Sequence, residues 1–325
     1  MLDRPTRVAV TGAAGFIGSH LCERLLADGH EVVAIDSFSD YYDRRRKERN
    51  LERARTHRNF ALHETDLVDA DLHRLLDGSR IVFHLAGQPA VRPSWGHHFD
   101  RYLRDNVLAT QRVLEALREI GVDRFVFACS SSVYGNAEVF PTKENALPRP
   151  LSPYGMTKLA AEHLTFVYSR NFDIPAVSLR YFTVYGPRQR PDMAFSRFIQ
   201  ALVDDEEIEV YGDGEQTREF TYVSDAVDGT VKAASADVEG LVINLGGGSR
   251  VTVNRVLDTL DDISRSRARR RYLPAAPGDP RHTGASINLA RERLGWEPRV
   301  SLREGLTRQW EWFQQARDGL VTEAG

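Results

Sequence analysis

Cysteine is scarce in this chain, with only Cys22 and Cys129 among 325 residues. Two cysteines cannot staple a disulfide-dependent scaffold, and neither stands in a metal-ligand spacing. Both lie in apolar contexts, which predicts buried free thiols in a reducing compartment and no bound metal. Long apolar runs are lacking as well. No stretch reaches the about 20 residues of a membrane span, and Met1-Leu2-Asp3-Arg4-Pro5 leads straight into a strand pattern without a signal segment. Nor does charge of one sign accumulate: the formal net charge is −3, which excludes a general nucleic-acid or anionic-membrane surface. The run Asp43-Arg44-Arg45-Arg46-Lys47-Glu48-Arg49 is locally basic and reads as a solvated helix start. Repeats and low-complexity segments are absent, so a soluble, cytoplasmic globular protein is the expectation.

What the first half does contain is alternation. Short apolar strands are predicted at 7–11, 31–36, 60–63, 81–85, 124–128 and 176–180, with helical patterns between them, notably 19–26, 101–120 and 154–171. Continuous apolar strands alternating with helices imply a parallel sheet covered on both faces. After about Tyr185 the rhythm breaks at Gly186-Pro187, Arg190-Pro191 and Gly212-Asp213-Gly214. Helices at 253–264 and 302–316 follow, with a frayed tail expected over Gly319–Gly325. The expected architecture is α/β, a Rossmann-type doubly wound parallel sheet with a smaller C-terminal α/β substrate-binding lobe. The dinucleotide-binding part would comprise residues 1–185 plus about 219–247, and the lobe 186–218 and 248–325.

Thr11-Gly12-Ala13-Ala14-Gly15-Phe16-Ile17-Gly18 joins the first strand to the first helix. Gly12, Gly15 and Gly18 allow a tight turn and close approach of backbone to a pyrophosphate, which the helix N-terminus then receives. The second strand ends in Asp36, placed to accept hydrogen bonds from an adenosine ribose. That carboxylate would repel a 2′-phosphate, favouring NAD over NADP. Farther on, Tyr154 and Lys158 stand four residues apart at the start of a helix, on one face. There the ammonium is expected to lower the phenol pKa from its usual value of about 10.

With T-G-x-x-G-F-I-G, the chain resembles the extended short-chain dehydrogenase/reductases, within them the NAD-dependent nucleotide-sugar epimerases and dehydratases. The resemblance covers nearly the whole length. It implies cofactor contacts from Phe16 and Ile17 in the glycine turn, from Asp66-Leu67, and from Leu85-Ala86-Gly87, with Asn106 as a structural asparagine. Gly87 replaces a family alanine, a small departure. The resemblance also implies that Tyr154 takes the sugar hydroxyl proton, that NAD takes the hydride, and that Lys158 also holds the nicotinamide ribose. Ser130, three before the valine of Val133-Tyr134-Gly135, would share the substrate hydroxyl. Ser131 and Ser132 stand where the dehydratases carry an acid pair, so dehydration is not expected; both are supporting substrate contacts.

Tyr181-Phe182-Thr183-Val184-Tyr185-Gly186-Pro187-Arg188-Gln189-Arg190-Pro191-Asp192-Met193-Ala194 is similar to the matching stretch of UDP-glucuronic acid 4-epimerases, as is Ser39-Asp40-Tyr41-Tyr42-Asp43. Thr183 and Arg190 suit a sugar carboxylate; the alternative is that Arg190 pairs with Asp192 on a loop. Arg218, Arg281 and Tyr211 are expected to grip the nucleotide, and Arg92 either to reach the phosphates or to lie on the surface. The implied activity is C4 epimerisation of a UDP-sugar with tightly retained NAD in a homodimer paired through helices near 100–119 and 155–171. UDP-glucose 4-epimerisation, UDP-glucuronate decarboxylation and a non-catalytic NAD sensor stay open as alternatives.

Overall fold

The computed structural model describes residues 2 and 4–323. Strand β1 (Arg7–Thr11), helix α1 (Phe16–Ala27), β2 (Glu31–Asp36), α2 (Arg44–Arg55), β3 (Phe60–Glu64) and α3 (Leu72–Leu76) come first. β4 (Ile81–His84) then leads through α4 (Phe99–Tyr102) and α5 (Ala109–Ile120) to β5 (Arg124–Ser130), α6 (Pro153–Phe172) and β6 (Ala176–Tyr181). β7 (Val184–Tyr185), α7 (Ala194–Val203), β8 (Ile208–Tyr211), β9 (Thr217–Glu219), β10 (Thr221–Tyr222) and α8 (Val223–Ser235) precede β11 (Val242–Leu245). The chain closes with β12 (Arg250–Thr252), α9 (Val253–Ser264), β13 (Arg270–Leu273), α10 (Asn288–Leu294) and α11 (Leu302–Glu323).

Seven strands form one parallel sheet in the order β11-β6-β5-β4-β1-β2-β3. Its inner strands are buried on both faces, every residue of β4 and β6 included, because helices cover each side. That burial is what the continuous apolar runs require. β1 pairs in parallel with both β2 and β4, so the strand order reverses between them and opens a crevice at the carboxyl ends. The remaining strands make three small pairs, β8 with β13, β9 with β12 and β7 with β10.

Local chemistry sets the helix boundaries. Ser152 caps α6 by accepting from Gly155 N at 3.1 Å, and Pro153 occupies its first position. Helix α1 starts at Phe16, three residues before its expected start: Gly15 is its extended N-cap, and Phe16, Ile17 and Gly18 already belong to the helix. The predicted helix over 101–120 is not uniform: residues Leu103–Leu108 widen into a π turn between α4 and α5. Helix α11 runs on past Ala316 to Glu323, since one glycine at 319 costs a helix only about 1 kcal/mol. The last two residues of the tail expected to fray lie outside the described residues. Cys22 and Cys129 are free and buried.

The basic run does begin a helix, capped by Asp43, whose carboxylate accepts from Arg45 N at 2.8 Å. It is not wholly solvated. Lys47 turns inward, buried, with its ammonium 3.5 Å from Asp36 Oδ1 and 3.2 Å from Ser39 Oγ.

Candidate active site

A cleft of about 1250 Å³, its open mouth included, lies over the β1/β4 crevice. Gly12, Gly15, Phe16, Ile17 and Gly18 form one end, with Asp36, Asp66 and Leu67 beside them. Leu85, Ala86, Gly87 and Asn106 form the floor, and Tyr154, Lys158 and Arg190 the far end.

Each glycine of the turn has its own reason. A side-chain carbon on Gly12, whose φ is +70°, would meet Ala86 N at 2.8 Å, and one on Gly18 would meet the Gly12 carbonyl at 2.1 Å. Gly15 is the N-cap of α1 with no side-chain cap, so the first amides of that helix remain available to an anion. An alanine methyl at Gly87 would lie 2.6 Å from Asn106 Oδ1, so the glycine there is coupled to that asparagine rather than neutral. Asn106 accepts from Gln88 N at 2.7 Å and donates to Thr157 Oγ1 at 2.9 Å. Seated in the π turn, it ties the cleft floor to α6.

Asp36 is buried and already accepts from Ala14 N at 3.0 Å and Phe38 N at 2.8 Å. Lys47 beside it was missed in the sequence because its neighbours are all charged; the buried Asn50 and Leu51 one turn on are the signal of an inward face. Asp66, on the cleft wall, accepts from Arg104 Nη1 at 2.7 Å. An anion-ready helix start, a strand-end carboxylate and an ammonium at the opposite end fit a dinucleotide.

Tyr154 and Lys158 ride on α6, which is anchored from behind. Glu162, one turn beyond Lys158, accepts from Arg180 Nη2 at 2.5 Å and Ser178 Oγ at 2.8 Å, all buried. Burial pushes the Tyr154 pKa upward, while the Ser130 hydroxyl and the Arg190 charge pull against it. The expected lowering by Lys158 is not found. The Lys158 ammonium instead lies 4.5 Å from the Phe127 ring centroid on β5, with its own pKa lowered by burial. Helical spacing put the two side chains on one face, and the ammonium packs over the Phe127 ring. Ser130 ends β5 and donates to Ser132 Oγ at 3.1 Å; Ser131 and Ser132 form the single turn that follows.

Arg190 makes the Asp192 pair that one of its two sequence readings expected. It lines the cleft with Tyr154, and it also holds Asp192 through two hydrogen bonds of 3.0 Å. Thr183 is half-buried, its carbonyl accepting from Thr221 N at 2.9 Å, and falls outside the cleft lining. Arg92, Tyr211, Arg218 and Arg281 gather in one cluster outside the cleft lining. The Arg92 guanidinium stacks 3.9 Å over the Tyr211 ring and pairs with Asp279 at 3.0 Å. Arg218 is half-buried, gives its hydrogens to the Thr217 and Arg281 carbonyls, and has its pKa lowered, by burial first. Arg281 is exposed and paired with Asp213 at 2.7 Å.

Residues 8–246 match the model of the NAD dependent epimerase/dehydratase family. The chain belongs to that family. Among solved structures it is similar to the UDP-glucuronic acid 4-epimerase of Bacillus cereus in complex with UDP-glucuronic acid and NAD. The identity is 43%, the TM-score 0.94, and the match covers 96% of this chain and 100% of that one. MoeE5, solved with UDP-glucose and NAD, is 44% identical with a TM-score of 0.87, over 96% and 99% of the two chains. A curated relative, the UDP-glucuronate 4-epimerase of Thermodesulfobacterium geofontis, is 35% identical over 94% of this chain and 95% of its own. NAD is thus the cofactor, and the fold is that of the family's epimerases.

Proposed function

We propose that this protein is an isomerase that inverts C4 of a UDP-hexuronic acid, interconverting UDP-glucuronic and UDP-galacturonic acid. The observation that carries this reading is Arg190 on the wall of the cleft that also holds Tyr154 and Lys158. A guanidinium there suits a sugar carboxylate. Its support is the resemblance to epimerases solved with UDP-glucuronic acid.

Bound NAD supplies the hydride-accepting ring and a positive charge that favours an ionised phenol. Tyr154 takes the C4 hydroxyl proton as the C4 hydrogen departs as hydride, leaving a 4-keto sugar. Ser130 aligns that oxygen, with Ser131 and Ser132 in support. Once the sugar presents its other face, hydride returns to C4, Tyr154 gives the proton back, and the centre is inverted. The intermediate is a β-keto acid prone to lose carbon dioxide. Arg190 would hold its carboxylate in an orientation poor for that cleavage, while Thr183, expected to share it, lies outside the cleft lining. Arg218, which has no carboxylate partner among the described residues, takes the diphosphate; Arg92, Tyr211 and Arg281 enclose the nucleoside.

Residues 1–185 with 219–247 serve as the NAD half, supported by β11 completing the main sheet. Residues 186–218 and 248–325 form the nucleotide-sugar lobe, joined by the β8–β13 pair. The enzyme works in the cytoplasm, where its buried thiols stay reduced. A second reading, UDP-glucose 4-epimerisation, gains from the Arg190 charge being already paired.

Proton NMR of the purified protein with UDP-glucuronic acid, without added NAD, tests the reading. UDP-galacturonic acid from the wild type and a 10²–10⁴-fold slower rate from Tyr154→Phe, roughly the worth of a general base, are expected. UDP-xylose would move the assignment to a decarboxylase. No change, while UDP-glucose is converted, would move it to the neutral sugar.

A further inference from the structure

Arg190 is the cation assigned above to the sugar carboxylate, yet it already carries a carboxylate of its own. Its Nε donates to Asp192 Oδ1 and its Nη2 to Asp192 Oδ2, both at 3.0 Å. Such a paired fork is the strong form of an arginine–carboxylate contact. The Tyr41 hydroxyl donates to the same Oδ2 at 3.2 Å, and the Tyr41 ring lies 6.0 Å below the guanidinium. The pair is largely shielded, the two side chains being 19% and 32% exposed, so solvent screens it less than a surface pair. Only Pro191 separates the partners, and Met193 N bonds the Arg190 carbonyl at 3.2 Å, so the loop itself keeps Asp192 in place. Nη1 has no acceptor among the described residues and is the edge left for a ligand.

We propose that Asp192 is a specificity-determining residue, which weakens the site's preference for acidic over neutral sugars by part-neutralising Arg190. The inference rests on the reading of Arg190 as the carboxylate binder. A hexuronic acid brings a second carboxylate onto a guanidinium that already holds one, and the two repel. A neutral hydroxymethyl group meets a paired, neutral contact and feels no such cost. Asp192 is therefore an element set against one ligand class, of the kind specificity requires alongside attraction.

Calorimetric titration of the NAD-loaded enzyme with UDP-glucuronic acid and with UDP-glucose tests it. For Asp192→Asn, the ratio of the two Kd values should shift about tenfold toward the uronic acid, the scale of one charge-assisted hydrogen bond. Asp192→Ser should behave like the asparagine variant and serves if that variant does not fold. A ratio that stays constant or moves toward UDP-glucose overturns the inference. If the wild type turns over UDP-glucuronic acid and the ratio does not move, only the role of Asp192 falls. If the wild type neither binds nor converts UDP-glucuronic acid, the reading beneath it falls as well.

Discussion

His84 ends β4 directly beneath the cleft, with Nδ1 2.8 Å from Thr11 Oγ1 and Nε2 3.0 Å from Thr110 Oγ1. Burial, with the Lys158 charge adding to it, pushes its pKa down to about 3. His20, bonded to the Pro187 carbonyl at 2.9 Å, is pushed down to about 4, by burial first and Arg188 second. Both imidazoles are neutral when folded, whereas an unfolded histidine titrates near 6.5. Protonation therefore favours the unfolded chain. Their contribution is complete above about pH 6.5 and is lost as pH falls toward the folded values. Thermal denaturation should show Tm dropping between pH 7 and pH 5, and less steeply in His84→Asn; a variant with the wild-type slope would remove His84 as a cause. His20 leaves that variant with a residual slope.

At the scale of elements, the segment from Gly186 to Met193 matters most, because it carries Arg190 and is held from two sides. Helix α11 sends Gln309 into it: Oε1 accepts from Gly186 N at 3.1 Å, and Nε2 donates to Gln189 Oε1 at 2.9 Å. Gln189 in turn donates to the Val184 carbonyl and accepts from Ser196 N, both at 3.1 Å. From the other side, Arg188 pairs with Glu23 of α1 at 2.6 Å. The cofactor helix and the carboxylate loop are thereby mechanically joined. Gln309→Leu leaves the buried Gly186 N–H without a partner, at about 1–3 kcal/mol, and takes one donor from Gln189 Oε1, which keeps Ser196 N. Urea denaturation should show a loss in that range, and KM for UDP-glucuronic acid should rise as the loop loosens. A stability loss with KM unchanged would show that the amide pair does not position Arg190.

For the whole molecule, the exposed apolar side chains are unevenly placed. Leu103 and Leu108 flank the π turn before α5, while Met156, Val167 and Phe172 project from α6. These two helices pack on one another on the same side of the sheet. Their exposed apolar groups suit pairing with a second copy of the chain, which would bury them. Sedimentation equilibrium should give the mass of a dimer, and Val167→Asp should yield monomer at micromolar concentration by placing a charge in the contact. A monomeric wild type would discard the pairing.

Strand–helix alternation, the glycine turn and the Tyr154/Lys158 spacing were legible in the sequence because each depends on residues a few positions apart. Backbone sterics, period-two and period-3.6 burial and capping act over that range, and they determined the doubly wound sheet and the place of its crevice. What lay beyond them was decided by packing between distant segments. Lys47 turned inward to Asp36 because α2 lies against β2 and must bury one face. Lys158 went to Phe127 because β5 runs beneath α6. The Gln189–Gln309 pair spans 120 positions and exists only once α11 closes on the loop. Whether Arg190 faced a pocket or a neighbouring aspartate was likewise open in the linear chain. Folding answered with both, because the loop that aims the guanidinium at the cleft also carries the carboxylate that holds it there.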